Sequence, residues 1–301
     1  MLFMTKQEKE KQLQTLESMT RKRSQGRDVL GRLIRNKLGS AGLLIVLILL
    51  VLIVFAGLFT KHSYQAQDFD SRFLYPSSEH IMGTDNLGRD IWARLIYGGR
   101  VSMMVALLAL FISYGIGLVI GAVAGYFGGA TDLVVTRVID IIMALPGLLL
   151  AIAVAATLGP GPVNTALAIS ISGIPIGARI TRATIIAIKG NEFVEAARAT
   201  GSGHMKTIFK HILPNTIAPL LVSATLTIGG NIMAISSLSF IGLGVAPPTP
   251  EWGSILAAGR SYIRDFYPIV VFPSLFIVLT LFGFNLFGDA LRDALDPRLK
   301  D

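Results

Sequence analysis

The chain contains no cysteine. That excludes disulfides, thiolate metal sites and a cysteine nucleophile. Charge is also scarce: Asp, Glu, Lys and Arg make up 15% of the 301 residues, against about 25% in a typical soluble protein. Histidines occur only at His62, His80, His204 and His211, with no metal-ligand spacing, so no metal site is expected. No HExxH, no Ser/His/Asp arrangement and no carboxylate pair inside an apolar run is present, so the chain is not expected to be an enzyme. A phosphate-cradling Gly-x-x-x-x-Gly-Lys-Ser/Thr loop is missing as well, which argues against ATP binding by this chain. The charged first forty residues, and an apolar run with no small-residue cleavage site after it, lead us to expect no cleavable signal peptide.

Apolar side chains are abundant, at 52%. A helix rises 1.5 Å per residue, so crossing a ~30 Å hydrocarbon core takes roughly 20 apolar residues. Residues 41–59, AGLLIVLILLVLIVFAGLF, carry no polar side chain and read as a membrane span. Further runs at 101–125, 138–158, 163–178, 216–246 and 269–288 make six. The fold class expected is therefore an all-α integral membrane protein with six transmembrane helices. The run at 163–178 is interrupted by Pro, Gly and Ser, and needs neighbouring helices to cover its polar groups.

Lys and Arg set the orientation. With the amino terminus inside and six crossings, 20 of the 27 Lys and Arg fall on inside segments, together with 12 of the 19 Asp and Glu. The whole formal charge of +8 then lies inside, so the basic balance reads as membrane topology and not as nucleic-acid binding. The segments expected are a cytoplasmic basic region at 1–40, a first transmembrane helix at 41–60, an extracytoplasmic segment at 61–100, a five-helix core at 101–290 and a cytoplasmic tail at 291–301. Within the first, Leu30, Leu33, Ile34 and Leu38 stand at helical spacing among Arg32, Arg35 and Lys37. That pattern suits an amphipathic helix on a lipid surface.

Residues 179–214 lie between two spans and are too charged to cross lipid. Glu192–Thr200 is Ala-rich and favours a helix. Gly201 and Gly203 allow a sharp turn. Met205, Ile208, Phe209 and Ile212 then recur at i, i+3, i+4 and i+7, an amphipathic stripe that Pro214 is expected to end. Such a helix–turn–helix could dock into a partner through small Ala196, Ala197 and Ala199, with Glu195 for register and Met205, Ile208 and Phe209 as an apolar anchor. It could equally pack on its own bundle.

The order Glu195-Ala196-Ala197, then Gly201, then Leu213-Pro214, resembles the EAA loop of ABC importer permeases. His211 stands where the family usually has Ile, with Ile212 beside it, and His211–Asn215 resembles the peptide-permease branch. Residues 80–102 (HIMGTDNLGRDIWARLIYGGRVS), 137–152, 238–253 and 284–299 are similar to further signatures of the dipeptide, oligopeptide, glutathione and nickel permeases. The likeness covers roughly residues 28 to 299 and is to the C-type member of a permease pair. It implies a type I ABC importer permease architecture in a prokaryotic inner or plasma membrane, with 179–214 as the cytoplasmic coupling loop. It also implies a homologous second permease, two cytoplasmic ATPase subunits that bind ATP and Mg, and an extracytoplasmic substrate-binding protein. The implied cargo is a di- or oligopeptide, with nickel or glutathione as alternatives. A secondary transporter or channel without an ATPase is the alternative of another class.

Three further groups remain open. Asp85, Arg89 and Asp90, in Gly83-Thr-Asp-Asn-Leu-Gly-Arg-Asp90, form either a helix-capping turn or, with Trp252, a docking surface for the binding protein. Arg137 and Asp140 share a helix face and suit a structural ion pair better than a proton relay, while Pro146 should kink that span. Thr225, Thr227, Asn231, Ser236 and Ser237, with Asn285, either line a translocation path or hydrogen-bond between helices.

Overall fold

The computed structural model describes residues 25–296. Residues 1–24 of the amino-terminal segment and 297–301 of the tail lie outside the described residues. Among the described residues the secondary structure is helical, apart from an isolated bridge between Thr84 and Asp90. The helices are α1 Gln25–Arg35, α2 Lys37–Val54, α3 Ala56–Phe59, α4 Ile91–Phe127, α5 Gly129–Met143, α6 Gly147–Leu158 and α7 Pro162–Ile188. They continue with α8 Glu192–Ala199, α9 His204–Phe240, α10 Trp252–Gly259 and α11 Pro268–Leu295.

Five of these, α2, α4, α7, α9 and α11, are each long and apolar enough to cross a membrane. The remaining expected span, at 138–158, is broken. α5 and α6 meet at 83°, where Pro146 lacks the N–H that would continue the ladder. The kink expected at Pro146 is thus a full change of direction.

Several ends differ from the apolar runs. α4 starts ten residues before residue 101, because Asp90 caps it: its Oδ1 accepts from the Ala93 N–H at 2.6 Å. α7 runs past residue 178 through Arg179 and Arg182, since both guanidiniums find carboxylates on α5. α9 stops at Phe240, short of residue 246: Gly242 takes φ +85°, and the Gly242 and Leu243 N–H groups bond to Ser239 and Leu238 carbonyls at 3.0 and 2.9 Å. Leu38 belongs to α2 and not to the amphipathic helix, because Asn36 interrupts the chain and caps α2 through the Gly39 N–H.

Lipid tails are as apolar as leucine, so helices in a membrane associate through close packing rather than through water exclusion. The most extensive seam is between α4 and α7. Gly117, Gly121 and Gly125 repeat every fourth residue on α4; a Cβ on Gly121 would sit 2.3 Å from the Ala178 carbonyl oxygen. The opposite faces carry exposed Leu47, Ile48, Phe111, Val119 and Phe282, as lipid requires. The largest core packs Leu95, Ile232, Ile235, Trp252, Ile269 and Phe276 around the amino-terminal end of α4. A smaller one closes the other end of that helix.

Candidate functional site

The loop expected to carry coupling folds as two helices whose chemistry divides by face. α8 ends where Gly201 adopts φ +82°. The Gly201 N–H bonds to the Arg198 carbonyl at 2.9 Å and the Ser202 N–H to the Ala197 carbonyl at 3.1 Å, a Schellman closure. The distance from the Glu-Ala-Ala run to Gly201 is therefore the length of a short helix plus its left-handed cap. The inner face, Val194 and Ala197, packs with Ile208 and Ile212 against Ala122, Tyr126 and Ile185 at the ends of α4 and α7. The outer face presents Glu195, Ala196 and Ala199. Met205 is 63% exposed and Phe209 53%, whereas Ile208 is 3% exposed.

Ile208 is thus not part of an outward anchor, as expected from the stripe; it holds the loop to its own bundle. The stripe is split because residues 207–212 form a π turn, whose wider spacing rotates neighbours off a common face. The same turn spreads the backbone before Pro214, so α9 runs on through Pro214 to Phe240 instead of ending there. Leu213 is half-buried against the loop's own core. The Glu195 N–H bonds to the Asn191 carbonyl at 3.3 Å, while its carboxylate has no hydrogen-bond or ion-pair partner among the described residues.

Polar contacts fix the loop to its neighbours. The Tyr126 hydroxyl meets His204 Nδ1 at 2.9 Å, and the Arg198 guanidinium lies 5.0 Å from the Tyr126 ring centre. Lys189 Nζ donates to the Gly125 carbonyl at 3.0 Å. Arg182 pairs bidentately with Asp132, and Arg179 with Asp140 at 2.9 Å. Asp140 therefore pairs across helices with Arg179, not along its own helix with Arg137, which is exposed.

The residues expected on a translocation path separate into two groups. Asn231 Nδ2 donates to the Ala106 carbonyl at 3.1 Å, and Thr227 meets the Tyr114 hydroxyl at 2.9 Å, so both stitch α9 to α4. Thr225 donates back to Leu221 of its own helix. Ser236 and Ser237 line a cavity of about 480 Å³ between α6, α9, α10 and α11, with Leu148, Met233, Phe240 and Ile277 around them. Ser236 is buried and its Oγ finds no partner among the described residues, whereas Ser237 bonds to the Met233 carbonyl. Asn285 on α11 is half-buried.

Asp85, Arg89, Asp90 and Trp252 do not form a docking surface. Their exposures are 2, 8, 4 and 0%. Asp85 accepts from the Leu87 and Arg89 N–H groups at 2.8 and 3.0 Å and pairs with Arg89 Nε at 2.7 Å. Gly88, at φ +72°, lets this turn sit against the Asp68 carbonyl, which a Cβ would approach to 1.6 Å. Trp252 Nε1 donates to the Leu95 carbonyl at 2.8 Å. Beside it lies a residue that sequence reasoning missed. Glu251 is fully buried and accepts from the Gly253 and Ser254 N–H groups, both at 2.9 Å, and from Ser102 Oγ at 3.0 Å. Its position immediately before a helical run was the available signal. Tyr126 and His62 were also missed, since their partners lie 78 and 17 residues away.

The described helices form a membrane-type bundle with bridged polar groups and a pinned helical loop that presents one face outward. Residues 117–301 match the family described as binding-protein-dependent transport system inner membrane component, and residues 24–76 the N-terminal transmembrane domain of oligopeptide transport permease C. The chain is 42% identical over 274 residues to the dipeptide transport system permease protein DppC of Alkalihalophilus pseudofirmus, covering 91% of this chain and 90% of that one. It is 41% identical to the di/tripeptide transport system permease protein DppC of Pseudomonas aeruginosa, covering 88% and 90%. It is 39% identical to the glutathione transport system permease protein GsiD of Pectobacterium atrosepticum, covering 92% and 93%. The inward-facing MetNI methionine ABC transporter shares the fold, with a TM-score of 0.55 at 18% identity over 67% of this chain and 96% of that one.

The chain belongs to the binding-protein-dependent transport system inner membrane component family, and it is a multi-pass permease subunit of an ABC importer. The alternative of a carrier working without an ATPase is set aside by that membership.

Proposed function

We propose that α8, with Met205 and Phe209, seats in a cytoplasmic ATP-binding subunit, and that the chain forms half of a path for di- or oligopeptides. The observation carrying this reading is the division of the loop: one face is pinned to the bundle, while the other presents an unpaired Glu195 carboxylate among small and apolar side chains. A helix fixed on one side and complementary on the other passes displacement between two bodies. The partners are two such ATP-binding subunits, which hold ATP and Mg, a homologous second permease and an extracytoplasmic binding protein. Both termini lie on the cytoplasmic side, in keeping with the Lys and Arg asymmetry.

The cavity around Ser236 and Ser237 belongs to the translocation path, and the names of the relatives favour peptide cargo. Glutathione is the second reading, because a relative of similar identity carries that name. Identifying the ligand held by the purified binding protein separates the two. The coupling assignment is tested by Glu195→Lys in the assembled transporter. Uptake into vesicles should fall at least tenfold while ATP hydrolysis persists; normal uptake at normal expression rejects the assignment.

A further inference from the structure

The fold gathers three metal-capable side chains that lie 18 and 10 residues apart in the sequence. His62 follows the first span, His80 lies in the connecting segment, and Asp90 caps α4. One ligand atom from each falls within 4.8 Å of the others. The imidazole centres are 4.7 Å apart. His80 Nδ1 and Asp90 Oδ2 are 2.9 Å apart, and His62 Nε2 lies 3.0 Å from the Glu79 carbonyl oxygen. These groups face a cavity of about 220 Å³ that Asp68 and Glu79 also line. The Ser71 hydroxyl, followed by the Asp70 N–H, holds the Asp68 carboxyl below the usual carboxylate range.

We propose that His62, His80 and Asp90 bind a divalent transition cation of the zinc type. Two imidazoles and one carboxylate are the donor set of borderline cations; Mg²⁺ and Ca²⁺ favour all-oxygen shells. Zinc bonds of about 2.0–2.2 Å to nitrogen and oxygen place tetrahedral ligands about 3.3–3.6 Å apart. On binding, a separation at the 4.8 Å limit closes by about 1–1.5 Å, within reach of a rotation of the partly exposed His62 ring, while the 2.9 Å between His80 Nδ1 and Asp90 Oδ2 opens by about 0.5 Å. Asp90 is the fixed member: it is buried, and its Oδ1 is held by the Ala93 N–H while Oδ2 faces His80. A bound cation would tie the start of the segment after α3 to the amino terminus of α4. This proposal does not depend on the cargo or on the coupling reading.

The test uses the full chain in detergent, purified through a histidine-free tag and stripped with a chelator. Zinc is titrated in competition with a chromophoric chelator, alongside Mg²⁺ and Ca²⁺. One equivalent of zinc should bind, raise the melting temperature and leave Mg²⁺ and Ca²⁺ without effect. His62→Gln and His80→Ala should each weaken zinc binding by at least tenfold, as losing even an outer-shell partner does. His62→Gln, at a partly exposed position, should melt like the parent without zinc. Co²⁺ should give visible absorption bands in the parent that both variants lack. Substoichiometric zinc uptake by the stripped parent, or parental affinity in both variants, overturns the proposal.

Discussion

Glu251 offers the sharpest quantitative test of the fold. Its carboxylate receives three hydrogen bonds in a site without solvent exposure. Glu251→Ala removes the cap of α10, a loss of ~1 kcal/mol by itself, and leaves two N–H groups and the Ser102 hydroxyl short of an acceptor. Each buried group left unpaired costs about 1–3 kcal/mol before relaxation. Because the cap and the two N–H groups are the same bonds and the site relaxes, the net loss is about 3–5 kcal/mol, in the range for breaking a buried charged network. Glu251→Gln keeps one oxygen for Gly253 and Ser102 and turns an amine toward Ser254, so the loss is about 1–2 kcal/mol. Trp252 is the adjacent residue, buried beneath the network and 5.8 Å from the Phe276 ring. With Trp92 changed to Phe throughout, Trp252 is the single tryptophan left and its fluorescence reports melting of this end. At roughly 2–4 °C per kcal/mol, the Ala variant should melt at least ~6 °C below its parent, with the Gln variant between them. An Ala variant within ~2 °C of its parent would refute the view that Glu251 holds this end together.

Gly121→Leu should drive a side chain into the backbone of α7, at a cost of at least about 1–3 kcal/mol; a normal yield and melting temperature in detergent would show that the seam can open. Phe209→Asp should leave the fold intact, since the ring is half-exposed. It should nevertheless weaken co-purification of ATP-binding subunits severalfold, read as subunit stoichiometry, and an unchanged stoichiometry would remove Phe209 from the interface.

The spans were legible because lipid imposes a length and a composition that few other structures share. α2 shows this best, as an unbroken apolar run. The ends of α4, α7 and α9 were less legible, because hydropathy marks the lipid boundary and not the hydrogen-bonded end of a helix. Those ends depend on Asp90, on the α5–α7 ion pairs and on Gly242. The helix–turn–helix between α7 and the apolar part of α9 was readable from its alanines and from Gly201. Which residues face outward was not, since the π turn at Thr207–Ile212 breaks the 3.6-residue rule on which the stripe rested. Asp85, Arg89 and Asp90 showed the limit most plainly. A cluster of charge in an exposed segment reads as surface until the partners that bury it are known, and those partners are backbone amides and side chains within ten residues along the chain.

α4 spans 37 residues, which at 1.5 Å each is about 55 Å, well beyond the ~30 Å hydrocarbon layer. Its two ends are both held, one by the Asp90 cap and the packing of Trp252, the other by Tyr126 against the loop. Such a rod converts rotation into travel: a 10° tilt about its midpoint carries each tip about 5 Å, in opposite directions. If α8 were displaced on one side of the membrane, a helix held at both ends would carry that displacement to the other as a lever.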